Sequence, residues 1–243
     1  MVYTMSFYEQ LGAVYDEVFP ENPAITSFLS AGMALQSRML DLACGTGTYA
    51  CALAEKGHNV TGIDLDNGMI EQAKQKAAGK TIRFFTGDMT AFDTLIAGET
   101  FNRIYCIGNS LSHLNNRETV LTLCSKAYAQ LRDNGDFILQ IVNFAAVLAG
   151  QMNALPVIEK TEHGLRFLRS YRLNNDNDSV SFHGELTRGE ESWKDSVRLL
   201  TLDRDEMVTI LNTAGFQKIE TFGGYNGAAF SNESPALVIK TTR

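Results

Sequence analysis

Three carboxylates and two glycines fall where they could hold a ligand built like a nucleoside. In "LDLACGTGTYA" (40–50) an apolar run carries Asp41 and then meets Gly45 and Gly47. Glycines two residues apart let a backbone turn tightly and approach a ligand closely. Asp64 closes the next apolar run, "HNVTGID" (58–64), and Asp88 closes the one after it, "IRFFTGD" (82–88). A carboxylate at the first of these positions can accept from both hydroxyls of a ribose. One at the second can accept from an adenine amino group, while the backbone N–H of Met89 reaches a ring nitrogen.

Two ligand classes satisfy that set, beside the reading of a tight turn with no ligand. "GTGTYA" fits G-x-G-x-x-A, which with Asp64 suits a dinucleotide. A dinucleotide brings a pyrophosphate to the turn, and Asp41 at its head would repel it. S-adenosylmethionine (SAM) carries no phosphate and brings an ammonium and a sulfonium, which a nearby carboxylate favours. The residues favour SAM, and a nicotinamide oxidoreductase stays as the alternative.

Such a turn needs a scaffold of alternating strands and helices. "RMLDLA" (38–43), the two runs ending at Asp64 and Asp88, "FNRIYCIG" (101–108) and "DFILQIVN" (136–143) read as short, mostly apolar strands. "TYACALAEKG" (48–57), "NGMIEQAKQKAA" (67–78) and "RETVLTLCSKAYAQLRDNG" (117–135) read as helices between them, with Gly57 a C-cap and Asp66 an N-cap. That alternation implies parallel strands with right-handed crossovers. Residues 6–35 read as two helices broken at "FPENP". Three strand-like runs over 164–202, separated by "NNDND" and "RGEE", read as an inserted antiparallel meander. A helix (203–215) and two strands, "FQKIETF" and "PALVIKTT", follow; the loop between them is too short for a crossover helix, so they pair antiparallel. The expected organisation is one domain over 1–243, with a helical lid (1–35), a ligand-binding core (36–150), a cap insertion (151–202) and the end of the core (203–243).

Composition narrows the partners. The net charge is −7 and no dense Lys/Arg cluster occurs, so nucleic acid is not expected. Cys44, Cys51, Cys106 and Cys124 contain no C-x-x-C pair, and no metal constellation stands out. The N-terminus lacks the pattern of a signal peptide, and "FILQIVNFAAVLAG" is too short to span a bilayer. The expectation is a cytoplasmic protein, monomer or homodimer, with a small-molecule partner.

"LDLACGTGTYACALAEKGHNVTGIDLDNGMIEQAKQK", "FFTGDMTAF" and "FNRIYCIGNSLSHL", in that order, make the chain similar to the class I SAM-dependent methyltransferases. "CIGNSLSHL" resembles a segment of glycine and sarcosine N-methyltransferases and their bacterial relatives. The resemblance implies an α/β, Rossmann-like seven-stranded sheet of order 3-2-1-4-5-7-6 with strand 7 antiparallel. It implies SAM as cofactor and S-adenosylhomocysteine as product. It also implies roles. Arg38 would pair with the SAM carboxylate, and Ala43 and Gly45 would supply backbone near the methionine moiety, with Asp41 and Gly47 completing the turn. Asp64 would hold the ribose, Leu65 and Met69 the adenine faces, and Asp88 and Met89 its polar edge. Ile107, Gly108 and Asn109 would line the sulfonium side, with Ser110 and His113 close behind.

Methyl transfer from a sulfonium is an in-line displacement, so alignment and exclusion of water carry most of it. An amine acceptor must arrive unprotonated; an oxygen acceptor needs a base. His113, with an ordinary pKa of about 6.5, has the right type. Tyr15 could present a hydroxyl near the methyl group, and Tyr8 an acceptor contact. Along "LRFLRSYR", Arg166 and Arg172 share one face and Phe167, Arg169 and Tyr171 the other. An aromatic face carrying Arg169 suits a small carboxylate-bearing acceptor. Asn143 and Tyr225 stand where acceptor contacts fall. The sequence reading is thus SAM-dependent methylation of a small molecule at nitrogen or oxygen, with a SAM-binding sensor or scaffold as the alternative.

Overall fold

The computed structural model describes residues 11–150, 152–176 and 178–243, and divides them into two compact units. The larger holds 21–143 and 202–243. The smaller holds the described residues up to Pro20 together with 144–201.

The larger unit is built on a seven-stranded sheet. Its strands are β1 (Arg38–Leu42), β2 (Asn59–Asp64), β3 (Ile82–Thr86), β4 (Phe101–Cys106), β5 (Leu131–Val142), β10 (Lys218–Phe222) and β11 (Ala236–Thr242). They lie in the order β3-β2-β1-β4-β5-β11-β10. The first five pair in parallel, and β11 runs antiparallel to both neighbours. This is the order that the family resemblance implies. The inner strands are buried on both faces because helices cover them: Leu29, Ala50 and Leu53 join Met39, Val60, Tyr105 and Val238 in one core cluster.

Local signals set the helix ends. Helix α1 (Tyr15–Val18) precedes α2 (Pro23–Ser30), which starts with Asn22 accepting from Ala24 N and Pro23 at its first position, so "FPENP" is a boundary between helices. Helix α3 (Thr48–Glu55) begins at Gly47, and α4 (Asn67–Lys76) at Asp66, whose side chain accepts from Met69 N. The helix Arg204–Thr213 opens with a capping box of Asp203 and Glu206.

The helix expected over 117–135 ends at Gln130. Leu131 is fully buried and pairs with Phe101, which draws the next residues into β5. "RDNG" forms an irregularity inside that strand, with Asn134 at φ 61°.

The smaller unit is an antiparallel sheet of β6 (Ile158–Lys160), β7 (Leu165–Leu173), β8 (Ser179–Arg188) and β9 (Glu191–Leu200) in sequence order. β7 to β9 are the expected meander; β6, three residues long, is too short for its alternation to be read. Leu11, Val14 and Val18 pack with Leu165, Phe167 and Leu186. The two N-terminal helices therefore belong to different units: residues 11–18 go with the meander and α2 goes with the large sheet. Among the described residues no helix is long and apolar enough to cross a membrane.

Candidate functional site

The turn after β1 is built from left-handed backbone. Ala43, Gly45 and Gly47 have φ of 60°, 54° and 72°. A left-handed alanine is uncommon, and such strain gathers at functional sites. Gly47 is required twice over: its φ is positive, and an added Cβ would come within 2.7 Å of the Phe84 ring. Asp64, at the end of β2, holds the turn open, accepting from Gly45 N at 2.7 Å and from Asp66 N at 2.9 Å. Burial raises its pKa, although these N–H groups pull the other way.

Asp41 lies deeper. It is 2% exposed and sits in register with Tyr105 of β4. Burial pushes the Asp41 pKa well above the usual carboxylate range, and the charge of Asp64 adds to the shift. Two carboxylates that raise each other's cost thus flank one turn. A cation placed there relieves both.

The residues expected to hold adenosine follow along the sheet. Leu65, just beyond Asp64, is 73% exposed, an apolar side chain standing free at a strand end. Met69 is buried one helical turn on. Asp88 is exposed and caps the short 3-10 turn Met89–Ala91, accepting at one oxygen from Thr90 N and Thr90 Oγ1.

At the end of β4, Gly108 and Asn109 both take left-handed backbone, at φ 74° and 69°. Gly108 N donates to Gln140 Oε1 at 2.8 Å, and Asn109 Oδ1 accepts from Val142 N at 2.9 Å and from Ser112 Oγ at 3.1 Å. The Ile107 side chain belongs to the core. Ile107 and Asn109 thus turn their side chains into the protein. His113 ends the 3-10 turn Ser110–His113; it is open to solvent on one side and crowded by protein on the other. Desolvation lowers its pKa, which leaves the imidazole neutral at pH 7.

Some expected residues fall elsewhere. Arg38 starts β1, at the opposite end of the strand from the turn. Its guanidinium pairs with Glu99, which also binds Arg83 at 2.6 Å, and stacks over Phe101. It is too far from the turn to meet a carboxylate there. Asn143 is 3% exposed and is no reacting group. Its Nδ2 donates to the carbonyls of Ser231, Asn232 and Ser234, pinning the loop between β10 and β11. Asn143→Ala is expected to lower stability by about 2 kcal/mol, because it strands the buried Ser234 carbonyl and releases the loop at Ser231 and Asn232. Urea unfolding measures this, and an unchanged midpoint would reject the pin.

Tyr225 is carried by that loop, and its ring packs edge-on against Phe28 at 5.5 Å. Tyr15, Arg169 and Tyr171 lie in the smaller unit. There, Arg169 Nη2 donates to Pro156 O at 2.8 Å, and the guanidinium lies 5.9 Å and 5.6 Å from the rings of Phe19 and Phe167. Gly184 stands opposite Arg169 in register, so no side chain crowds it from the neighbouring strand. Burial pushes the Tyr171 phenol up to about 12. Tyr8 lies outside the described residues. Among the described residues no group of three His, Cys, Asp or Glu side chains could hold a metal ion.

Sequence reasoning did not single out Tyr105, Gln140 or Phe84. Each acts across strands, and only the pairing of β1 with β4, β4 with β5 and β2 with β3 brings them to the site.

Residues 39–135 match the family model for a methyltransferase domain. YqeM of Bacillus subtilis (strain 168) is 34% identical over 140 residues, 55% of this chain and 55% of that protein, so the match spans about half of YqeM. A glycine/sarcosine N-methyltransferase of Halorhodospira halochloris is 26% identical, covering 84% of this chain and 74% of that protein. Among solved structures, the CcbJ methyltransferase of Streptomyces caelestis superposes with a TM-score of 0.82 at 21% identity, over 98% of both chains.

Proposed function

We propose that this chain is a class I SAM-dependent methyltransferase that transfers a methyl group from SAM to nitrogen or oxygen of a small molecule. The observation that carries the reading is the pair of carboxylates, Asp41 and Asp64, on either side of a left-handed turn. The donor set fits the cofactor: acidic groups suit a cationic ligand, Leu65 offers an exposed apolar face to a purine, and Gly45 and Gly47 add no side chain to the turn.

SAM supplies an electrophilic methyl on a cationic sulfur. The protein supplies position. Asp64 holds the ribose hydroxyls, Leu65 and Met69 flank the adenine, and Asp88 and Met89 read its edge. Backbone at Ala43, Ile107, Gly108 and Asn109 fixes the sulfonium end. His113, neutral at pH 7, can take the proton that an oxygen or ammonium acceptor must lose. Acceptor recognition falls to Arg169, Tyr171 and Tyr15. The part-buried Arg169 guanidinium, its pKa lowered by desolvation, favours an acceptor carrying a carboxylate.

A methyl-transfer screen over amines, amino acids and phenols, read as S-adenosylhomocysteine released, tests the activity. Tight SAM binding with no turnover on any class would instead favour a sensor.

The carboxylates also set a pH dependence. The Asp41 pKa is raised in the fold, so burying its carboxylate costs stability as pH rises through that value. A cation favours the ionised form, so SAM uptake releases a proton and SAM affinity climbs with pH over the same range. The thermal shift given by SAM is expected to grow with pH more steeply than that given by 5′-methylthioadenosine, which carries neither the sulfonium nor the ammonium. Asp41→Asn should remove the difference. Equal slopes in the wild type would reject the electrostatic reading.

A further inference from the structure

Tyr225 Oη is fully buried and has no hydrogen-bond partner. Native proteins seldom leave a buried hydroxyl so, and each case calls for a reason. The position is built, not incidental. The ring is locked against Phe28, which itself packs on Phe222 at 5.6 Å. Asn143 holds the far side of the loop, and Gly223 N donates to Ala228 O at 2.8 Å. A side chain at Gly223 would collide with Ser234 Oγ, so the loop is closed on itself.

Tyr225 packs against the core cluster that holds Tyr105 and Ile107 at the end of β4, and Asp41 lies within electrostatic reach of its phenol. Asp41 belongs to the foot of the ligand turn. Sheet order then gives the ligand a direction. Asp64 ends β2, Asp88 follows β3, and on the other side of β2 lie β1 and β4. A nucleoside held over β2 and β3 must send its 5′ substituent toward β1 and β4, where Asp41, Tyr105 and Tyr225 are. Next to a buried carboxylate, the favoured end of an amino acid is its ammonium.

We infer that Tyr225 is a cofactor-positioning residue whose hydroxyl accepts a hydrogen bond from the α-ammonium of SAM, with the Asp41 carboxylate balancing the charge. This rests on the SAM reading above and moves Tyr225 from the acceptor to the cofactor. Burial holds the phenol protonated, so its oxygen stays a neutral acceptor.

The test is Tyr225→Phe in the full chain, which keeps the ring and removes one oxygen. Calorimetry is run with three probes: S-adenosylhomocysteine, decarboxylated SAM and 5′-methylthioadenosine. The first two carry the amine and should each bind about tenfold more weakly to the variant. Methylthioadenosine lacks the amino-acid end and should bind both proteins alike. An equal loss for methylthioadenosine would mean a packing effect and overturn the inference, as would unchanged S-adenosylhomocysteine affinity. A loss that vanishes with decarboxylated SAM would assign the hydroxyl to the carboxylate and overturn it too. If the wild type binds none of the three, the SAM reading itself fails.

Discussion

Asp64→Ala is expected to weaken S-adenosylhomocysteine and SAM binding about a hundredfold, roughly 3 kcal/mol. Two losses add. The ribose hydroxyls lose a charged acceptor, which typically contributes about 1.5–3 kcal/mol. The turn loses its fastening, because the same carboxylate accepts from Gly45 N and Asp66 N. The second loss is shared by any ligand of the turn, whereas the first needs a ribose. Asp64→Asn separates them in part: its amide oxygen still accepts one N–H, while its NH2 faces the other. Calorimetry on both variants should rank wild type above Asn above Ala. Unchanged affinity in the alanine variant would refute the ribose assignment.

The turn was legible in the sequence because its parts are local. Asp41, Gly45, Gly47 and Asp64 are fixed by strand ends and by backbone that few residues tolerate, and both leave marks in residue type. The strand order was legible too, through the resemblance and the short link between β10 and β11. Arg38 shows the limit. It precedes Asp41 by three residues, but at about 3.3 Å per residue a strand carries it roughly 10 Å away, to the wrong end of the sheet. Asn143 shows another. A polar residue at a strand end reads as a ligand contact, and only the fold reveals that three carbonyls of a loop ninety residues on consume its amide. Tyr105 left no trace at all, since its role depends on which strand lies beside β1. The split of the N-terminal helices between two units was equally hidden: both are amphipathic, and nothing in their periodicity says which surface each will cover.

Arg103 and Asp136 give the largest expected effect on stability. They form a buried ion pair across β4 and β5, with side chains 1% and 7% exposed. Arg103 also donates to the carbonyls of Leu29 and Ala31, tying the end of α2 to the sheet, and Lys240 lies 3.8 Å from Asp136. Removing Asp136 leaves the Arg103 charge with only carbonyls beside it, and removing Arg103 leaves the Asp136 charge with Lys240 alone; breaking a buried pair in this way costs about 3–5 kcal/mol. Arg103→Met and Asp136→Leu are each expected to fall in that range, measured by urea unfolding. The double variant should cost less than the sum of the two, because an apolar pair carries no stranded charge; strict additivity would mean that the two side chains do not act as a pair. Arg103 and Asp136 pair with Met39 and Thr242, near the end of the sheet where β1 begins, away from the turn that follows Leu42. S-adenosylhomocysteine affinity, measured at a temperature where the variants remain folded, should therefore stay within about twofold of wild type. A large loss of affinity alongside the loss of stability would instead mean that the end of α2 helps to shape the ligand turn.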